Sequence, residues 1–265
     1  MNNRKDKLEA LGRLLDIMDE LRIKCPWDRE QTFESIRNNT IEETYELSDA
    51  ILKGDMDHTR KELGDLLLHI VFYAKMGSEG GYFDIKDVAD SISEKLIFRH
   101  PHVFGDIDVQ NNPETVKKNW EELKIKEGNH SVLGGVPSSL PSLIKANRIQ
   151  EKARAVGFDW DERSQVWDKV EEELQELKVE IEKMDKSKME NEFGDLFFSL
   201  VNAARLYGID PETALERTNR KFISRFNYLE NETLKKGRSL RDMNLDEMNV
   251  IWEQAKSSDE GQDIC

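Results

Sequence analysis

The chain has 265 residues, 37% apolar and 35% charged, enough for a core in two domains or one large one. Acids outnumber bases 54 to 39, a formal net charge of −15. That balance excludes general nucleic-acid binding, which needs a basic footprint, and leaves a small polyanion held through metal ions or a local basic patch. Two cysteines, Cys25 and Cys265, make neither a disulfide scaffold nor a four-ligand zinc site.

The opening stretch MNNRKDKLEALGRL has no apolar signal-peptide core. The longest apolar run, Leu66 to Ala74, is nine residues and is broken by His69, so no membrane span is expected. The expectation is a soluble, cytoplasmic protein. Apolar residues recur at three- and four-residue spacing and period-two runs are nearly absent, which predicts an all-α fold. The expected helices cover 5–22, 40–53, 57–77, 85–99, 114–127, 142–155, 164–184, 188–207, 211–236 and 245–257.

Local signals mark their ends. Thr40 with Glu43, and Ser187 with Glu190, fit capping boxes, and Asp57 fits an N-cap. Pro211 suits a first turn after Asp210, and Gly54, Gly208 and Gly237 stand where helices should stop. Cys25, beside Pro26 and Trp27, reads as a buried thiol. His100 and His102, in a turn with Pro101, read as capping or packing groups. Gly128 to Pro141 is the stretch richest in Gly, Pro and Ser. It predicts a linker at 129–141 between an N-terminal domain 1–128 and a C-terminal domain 142–265. The acidic tail after Lys256 is expected to be disordered.

The two halves repeat. Glu62-Leu-Gly-Asp65 matches Glu192-Phe-Gly-Asp195 at an offset of 130, and Glu42-Glu43-x-x-Glu46 matches Glu172-Glu173-x-x-Glu176 at the same offset. Asp57 falls on Ser187. Lys95 and Arg99 match Lys221 and Arg225, and Trp120 and Lys124 match Trp252 and Lys256.

Glu43 and Glu46 are three apart on one helix face, as are Glu62 and Asp65 on the next. At about 1.5 Å per residue, a returning antiparallel helix brings the second pair level with the first. Four carboxylates then converge in each copy, and either some protonate or cations neutralise them. A lone Glu-Glu-x-x-Glu is an ordinary solvated helix face. Here the acids recur with the same interval, adjoin the apolar runs Leu66–Ala74 and Leu196–Ala204, and sit beside mid-helix Gly64 and Gly194. The two glycines suggest a close backbone approach. The donor set reads as all oxygen, with no His or Cys at these spacings, which favours Mg²⁺ or Mn²⁺. Magnesium ordinarily comes with phosphate.

This pattern, EExxE, a spacer and ExxD, resembles the MazG family of all-α nucleoside triphosphate pyrophosphohydrolases. The stretches CPWD (Cys25 to Asp28), RHPHVFGD (Arg99 to Asp106) and GFDW (Gly157 to Trp160) resemble two-domain bacterial members, and the likeness covers nearly the whole chain. It implies two MazG-like helical bundles, hydrolysis of NTPs and dNTPs to monophosphate and pyrophosphate with Mg²⁺, and a homodimer. It implies metal ligation by Glu173, Glu176, Glu192 and Asp195, with Glu43, Glu46, Glu62 and Asp65 as a second site. Glu172 takes a supporting or water-orienting position. Lys169, Lys188, Lys221, Arg225 and Trp252 match nucleotide contacts, and Lys256 lies one turn from Trp252.

Lys221 and Arg225 are also four apart on one face, where they could clamp phosphate oxygens, although such a pair is equally ordinary surface charge. Trp252 could stack on a base, although an aromatic at that spacing is more often core packing. Lys169 corresponds to Asn39 and Lys188 to His58, so the C-terminal copy is expected to be the main catalytic site. No GxxxxGK[ST] loop and no Ser–His–Asp or Cys–His arrangement is evident. Two other readings remain open: a narrower specificity, of dUTP or phosphoribosyl-nucleotide type, and a non-catalytic helical scaffold stabilised by metal.

Overall fold

A computed structural model describes residues 2–105, 116, 131–160 and 162–259. Every regular element among the described residues is helical, as the three- and four-residue apolar spacing requires. They fall into two compact units, with residues 2–105 in the first and residues from 116 onward in the second. The expected boundary at 128–129, the helix at 114–127 except Val116, Asp106, Trp120, Lys124, Cys265 and most of the acidic tail lie outside the described residues. Residues 131–141 carry turns and bends only. Among the described residues no helix is long and apolar enough to cross a membrane.

In the first unit α1 (Arg4–Lys24) runs into the short α2 (Pro26–Glu30). α3 (Phe33–Leu52) and α4 (Met56–Glu79) form an antiparallel hairpin, and α5 (Ile85–Arg99) and α6 (Pro101–Phe104) follow. α4 is the central element, packed against α1, α3 and α5. Its buried Val71, Phe72 and Met76 meet Met18 of α1 and Ile36 of α3, with Leu14, Leu15 and Leu68 around them. Each such side chain contributes about 1.5–3 kcal/mol on burial.

Arg22 ties three of these helices together. Its guanidinium donates to the carbonyls of Asp28 (2.5 Å) and Gln31 (3.2 Å) and to Glu79 Oε2 (2.5 Å), and lies over the Phe72 ring. The CPWD stretch thus builds the short α2 whose last carbonyls Arg22 satisfies. Cys25 is half-exposed rather than buried, because it is the joint between α1 and α2 and caps both with its backbone. His100 accepts its expected role, with Nδ1 2.7 Å from the carbonyl of Leu96.

The second unit holds α7 (Ser142–Ala155), α8 (Gln165–Lys183), α9 (Lys186–Leu206), α10 (Pro211–Lys235), a 3-10 turn (Leu240–Asp242) and α11 (Leu245–Asp259). α8 and α9 form a hairpin like that of α3 and α4, α7 packs on α9 and α10, and α11 lies on α10. Val166 and Val170 of α8 and Ala203 of α9 form the buried centre, with Leu196 and Leu206 against it. Asp159 of the GFDW stretch accepts from Arg205 of α9, Oδ2 at 3.1 Å from Nη1 and a shorter bond between Oδ1 and Nη2, so this loop is pinned to the hairpin. Burial pushes the Asp159 carboxyl up, but the Arg205 hydrogen bond, the Trp160 amide and the charges of Arg205 and Arg154 outweigh it and hold it low.

Several helix starts differ from expectation. α3 begins at Phe33 with a Thr32–Ser35 capping box, and Thr40 lies inside it, its hydroxyl bonded to the Ile36 carbonyl and to Tyr73 Oη. The caps of α4 and α9 are Asp55 and Asp185, which accept from the amides of His58 and Lys188. They replace Asp57 and the Ser187–Glu190 box. An Asp that precedes the first turn by one residue can reach the third amide, while one already inside the turn cannot. The corrected caps keep the 130-residue offset. Asp210 caps α10 with Pro211 in its first turn as expected.

The hairpin turns match as well. Gly54 has φ +67°, and its counterpart Met184 has φ +56°, a left-handed conformation that disfavours any residue with a Cβ. Met184→Gly therefore raises stability by roughly 0.5–1 kcal/mol, less than the full left-handed cost because glycine is freer when unfolded. An increased urea midpoint at unchanged slope is the expected reading.

Asp159→Ala lowers stability at pH 7 by about 3 kcal/mol, because it leaves the buried Arg205 charge without its partner. The folded carboxyl titrates below its unfolded value. The contribution is therefore complete above the unfolded pKa of about 3.9 and is lost as pH falls through the lower folded value. Urea denaturation of both proteins from pH 7 to pH 3 should show their difference shrinking at the acid end.

Candidate metal centre

The short turn between α3 and α4 sets the geometry. Glu43 and Glu46 lie one turn apart on α3, and Glu62 and Asp65 lie one turn apart on the returning α4. Donor atoms of Glu43, Glu62 and Asp65 fall within 4.8 Å of one another, and so do those of Glu46, His58 and Glu62. Glu62 belongs to both sets and its side chain is 0% exposed. Its Oε1 lies 2.8 Å from His58 Nε2 and 3.1 Å from Lys61 Nζ. Its Oε2 is buried with no hydrogen-bond partner.

The donor set is therefore not all oxygen. His58 joins the first cluster because the Asp55 cap fixes it on the first turn of α4, one turn before Glu62. In the sequence it stands at the position that Lys188 occupies in the second copy. The spacing His58-x-x-x-Glu62 is the signal that identifies it.

Burial is the main cause raising the Glu43 carboxyl, followed by its hydrogen bond to Glu62 and the charges of Asp65, Glu46 and Glu62. Burial also pushes Glu62 up, but the Lys61 and Glu43 hydrogen bonds and the charges of Lys61 and His58 hold it below the ordinary value. Two ionised carboxylates have no donor between them, so the Glu43–Glu62 hydrogen bond needs a proton on one of the pair. A proton or a cation relieves this pair of facing carboxylates.

In the second unit, donor atoms of Glu173, Glu176 and Glu192 lie within 4.8 Å of one another. Glu173 is buried, Glu192 half-buried and Glu176 exposed. Lys169, one turn back on α8, bridges Glu173 Oε1 at 2.8 Å and Glu172 Oε1 at 3.1 Å, and these bonds raise its pKa. Burial raises the Glu192 carboxyl, and the charges of Glu176, Asp195, Glu173 and Glu180 raise it further.

Asp195 is exposed and joins no set of three donors among the described residues, although its charge reaches Glu192. Glu180, one turn beyond Glu176, is buried, with Oε1 2.7 Å from Lys183 Nζ and Oε2 without a partner. The run Glu173, Glu176, Glu180 on one face of α8 is the sequence signal for it.

Of the expected nucleotide contacts, only Lys169 touches the carboxylates through a described bond. Lys188 Nζ lies 3.7 Å from Asp185 Oδ2. Lys221 and Arg225 lie on α10 and Trp252 and Lys256 on α11. Trp252 sits against Phe222, ring centroids 5.1 Å apart, which ties it to helix packing, and Lys256 pairs with Glu253 at 2.6 Å. Beyond their chain neighbours and their own helix backbone, Gly64 and Gly194 have no described atom within 4 Å of where a Cβ would stand. No backbone approach within the described chain explains them, contrary to expectation.

The sequence pattern of the MazG nucleotide pyrophosphohydrolase domain matches twice, at residues 31–104 and 163–229, so each match contains one carboxylate hairpin. The chain is 44% identical over 258 residues to the nucleoside triphosphate pyrophosphohydrolase of Escherichia coli, covering 94% of this chain and 98% of that protein. It is 44% identical over 252 residues to the nucleoside triphosphate pyrophosphohydrolase/pyrophosphatase MazG of Thermotoga maritima, covering 93% and 96%. A Mycobacterium tuberculosis nucleoside triphosphate pyrophosphohydrolase is 38% identical over 153 residues, 57% of this chain and 46% of that protein. With two carboxylate hairpins on an all-helical frame, and full-length likeness of this order, the chain belongs to the MazG family of nucleotide pyrophosphohydrolases.

Proposed function

We propose that this protein hydrolyses nucleoside triphosphates, ribo and deoxy, to monophosphate and pyrophosphate with Mg²⁺, chiefly in the second unit. The observation that carries the reading is the cluster of Glu173, Glu176 and Glu192 with Lys169 bonded to it. The names of the full-length relatives support the reaction class. The donors fit a hard cation: they are carboxylates, and burial together with their mutual repulsion raises Glu192. Glu173, Glu176 and Glu192 would hold it, with Asp195 drawn in from its exposed position. Magnesium there would neutralise phosphate charge and activate the attacking water.

The chain's own groups do the rest. Glu172, exposed beside Lys169, orients the water. Water oxygen bonds to the α-phosphorus and gives its proton to solvent, the bond from that phosphorus to the bridging oxygen breaks, and the electron pair leaves with pyrophosphate. With a cation on Glu173, Lys169 would be released from that carboxylate to meet a phosphate oxygen. Lys188, Lys221, Arg225 and Lys256 supply further positive charge for the leaving group, and Trp252 a surface for the base. In the first unit Asn39 and His58 replace Lys169 and Lys188. That site binds a cation but holds a polyanion less well.

Incubation with Mg²⁺ and each common NTP and dNTP, with products identified, tests the reaction. Glu192→Gln should lower kcat by at least about a hundredfold, while Glu62→Gln leaves most of the turnover. Diphosphate and orthophosphate as products, or the reverse order of the two variants, would overturn the assignment.

A homodimer belongs to the same reading. Phe193, Phe197 and Leu200 form an exposed stripe on α9, and Leu63 and Ile70 repeat it on α4. Gly64 and Gly194, open to solvent beside these stripes, leave room for another chain to approach. Light scattering after size exclusion should give twice the chain mass, and a concentration-independent monomer would refute it.

A further inference from the structure

The structure assigns the first unit a metal preference of its own: we propose that Glu46, His58 and Glu62 hold a nitrogen-seeking divalent transition ion, of the Co²⁺ to Zn²⁺ kind, in preference to Mg²⁺. The inference rests on the reading that the carboxylate hairpins bind divalent cations, and adds which cation the first one selects.

Donor atoms of Glu46, His58 and Glu62 lie within 4.8 Å of one another. His58 Nε2 and Glu62 Oε1 are 2.8 Å apart, close to the ~3 Å that separates neighbouring ligands each about 2.1 Å from one ion. A simple histidine–glutamate ion pair accounts for Oε1 alone. It leaves Oε2 of a wholly buried carboxylate without a partner, a position that either a proton shared with Glu43 or an ion between the helices relieves, and only the ion also engages Glu46 and His58.

The histidine is positioned before any ion arrives. Its amide is bonded to the Asp55 cap at 3.0 Å, and Glu62 follows one turn later on the same face. Lys61, the other group on Glu62, has a side chain 67% exposed and can turn into solvent.

The second hairpin lacks this feature. Lys188 stands at the position of His58 and cannot ligate while charged, and the donors there are the carboxylates of Glu173, Glu176 and Glu192. Imidazole binds zinc, cobalt and nickel well and magnesium poorly, whereas carboxylates suit magnesium. One substitution at matching positions therefore separates the two units: the second keeps a cation for phosphate, and the first gains a nitrogen ligand. A metal bound in the first unit would cross-link α3 and α4.

The test follows the His58 ring by ¹H–¹⁵N correlation in the full-length protein, assigned from the spectrum of His58→Gln, during titration with Zn²⁺ or with Mg²⁺. Equilibrium dialysis measures binding to the wild type, to His58→Gln and to His58→Lys, which installs the second unit's residue. The expected result is that Zn²⁺ moves the His58 Nε2 resonance and Mg²⁺ does not. Both variants should weaken the first site for Zn²⁺ by about tenfold or more while Mg²⁺ affinity stays unchanged.

Zinc binding that survives both substitutions in full, or a Mg²⁺ affinity that falls in step with that for Zn²⁺, overturns the inference. If Mg²⁺ binds and supports hydrolysis while Zn²⁺ ignores His58, only this inference falls. If neither ion binds, the metal reading of both hairpins falls with it.

Discussion

Carboxylates held face to face on a tight antiparallel helix hairpin are the constraint around which each unit is arranged. The turn allows little freedom: α3 ends at Leu52 and α4 starts at Met56, while α8 ends at Lys183 and α9 starts at Lys186. A left-handed residue closes each turn and an aspartate caps each returning helix. Once the turn is set, Glu62 must face Glu43, and Glu192 must face Glu173 and Glu176. Burial and neighbouring like charges raise such carboxyls, as Glu43 and Glu192 show, and donors gather on them, as Lys61, His58 and Lys169 show. A divalent ion is the stronger neutraliser for a group as buried as Glu62.

The rest of each unit holds that hairpin in place. In the first, Arg22 joins α1, α2 and α4, and in the second Arg205 joins the loop before α8 to α9. Both arginines have side chains at most 11% exposed. The CPWD and GFDW stretches therefore carry framework, supplying the acceptors that make two buried guanidinium groups tolerable. Their distance in sequence from the carboxylates does not make them independent of the site, because each arginine clamp bears on one of its helices.

Duplication gave two copies of one device with different surroundings. Lysine stands at 169 and 188 in the second hairpin, the first of them bonded to its carboxylates. Asparagine at 39 and histidine at 58 stand at the matching positions of the first, where the histidine brings a nitrogen donor among the carboxylates. The family assignment is common to both, whereas the proposed division of labour turns on these two positions.

Much of this was legible in the sequence. Helical spacing gave the elements, and the bounds 85–99 and 142–155 match α5 and α7. The 130-residue repeat and the ExxD and EExxE spacings located both hairpins and nearly every acid in them. These features are periodic and local, so the order of residues determines them. What required the tertiary structure was the choice among local options and the contacts between distant ones. Thr40 and Ser187 are plausible caps by pattern, but helix packing extends α3 back to Phe33 and places the α9 cap at Asp185. Sequence spacing gives no burial, so it could not show that Glu62 is wholly enclosed, that Glu180 lies behind Glu176, or that Asp195 faces solvent. Nor could it show His58 as a donor: the ring reaches the cluster only because the cap fixes its turn and the folded hairpin brings Glu46 across to meet it.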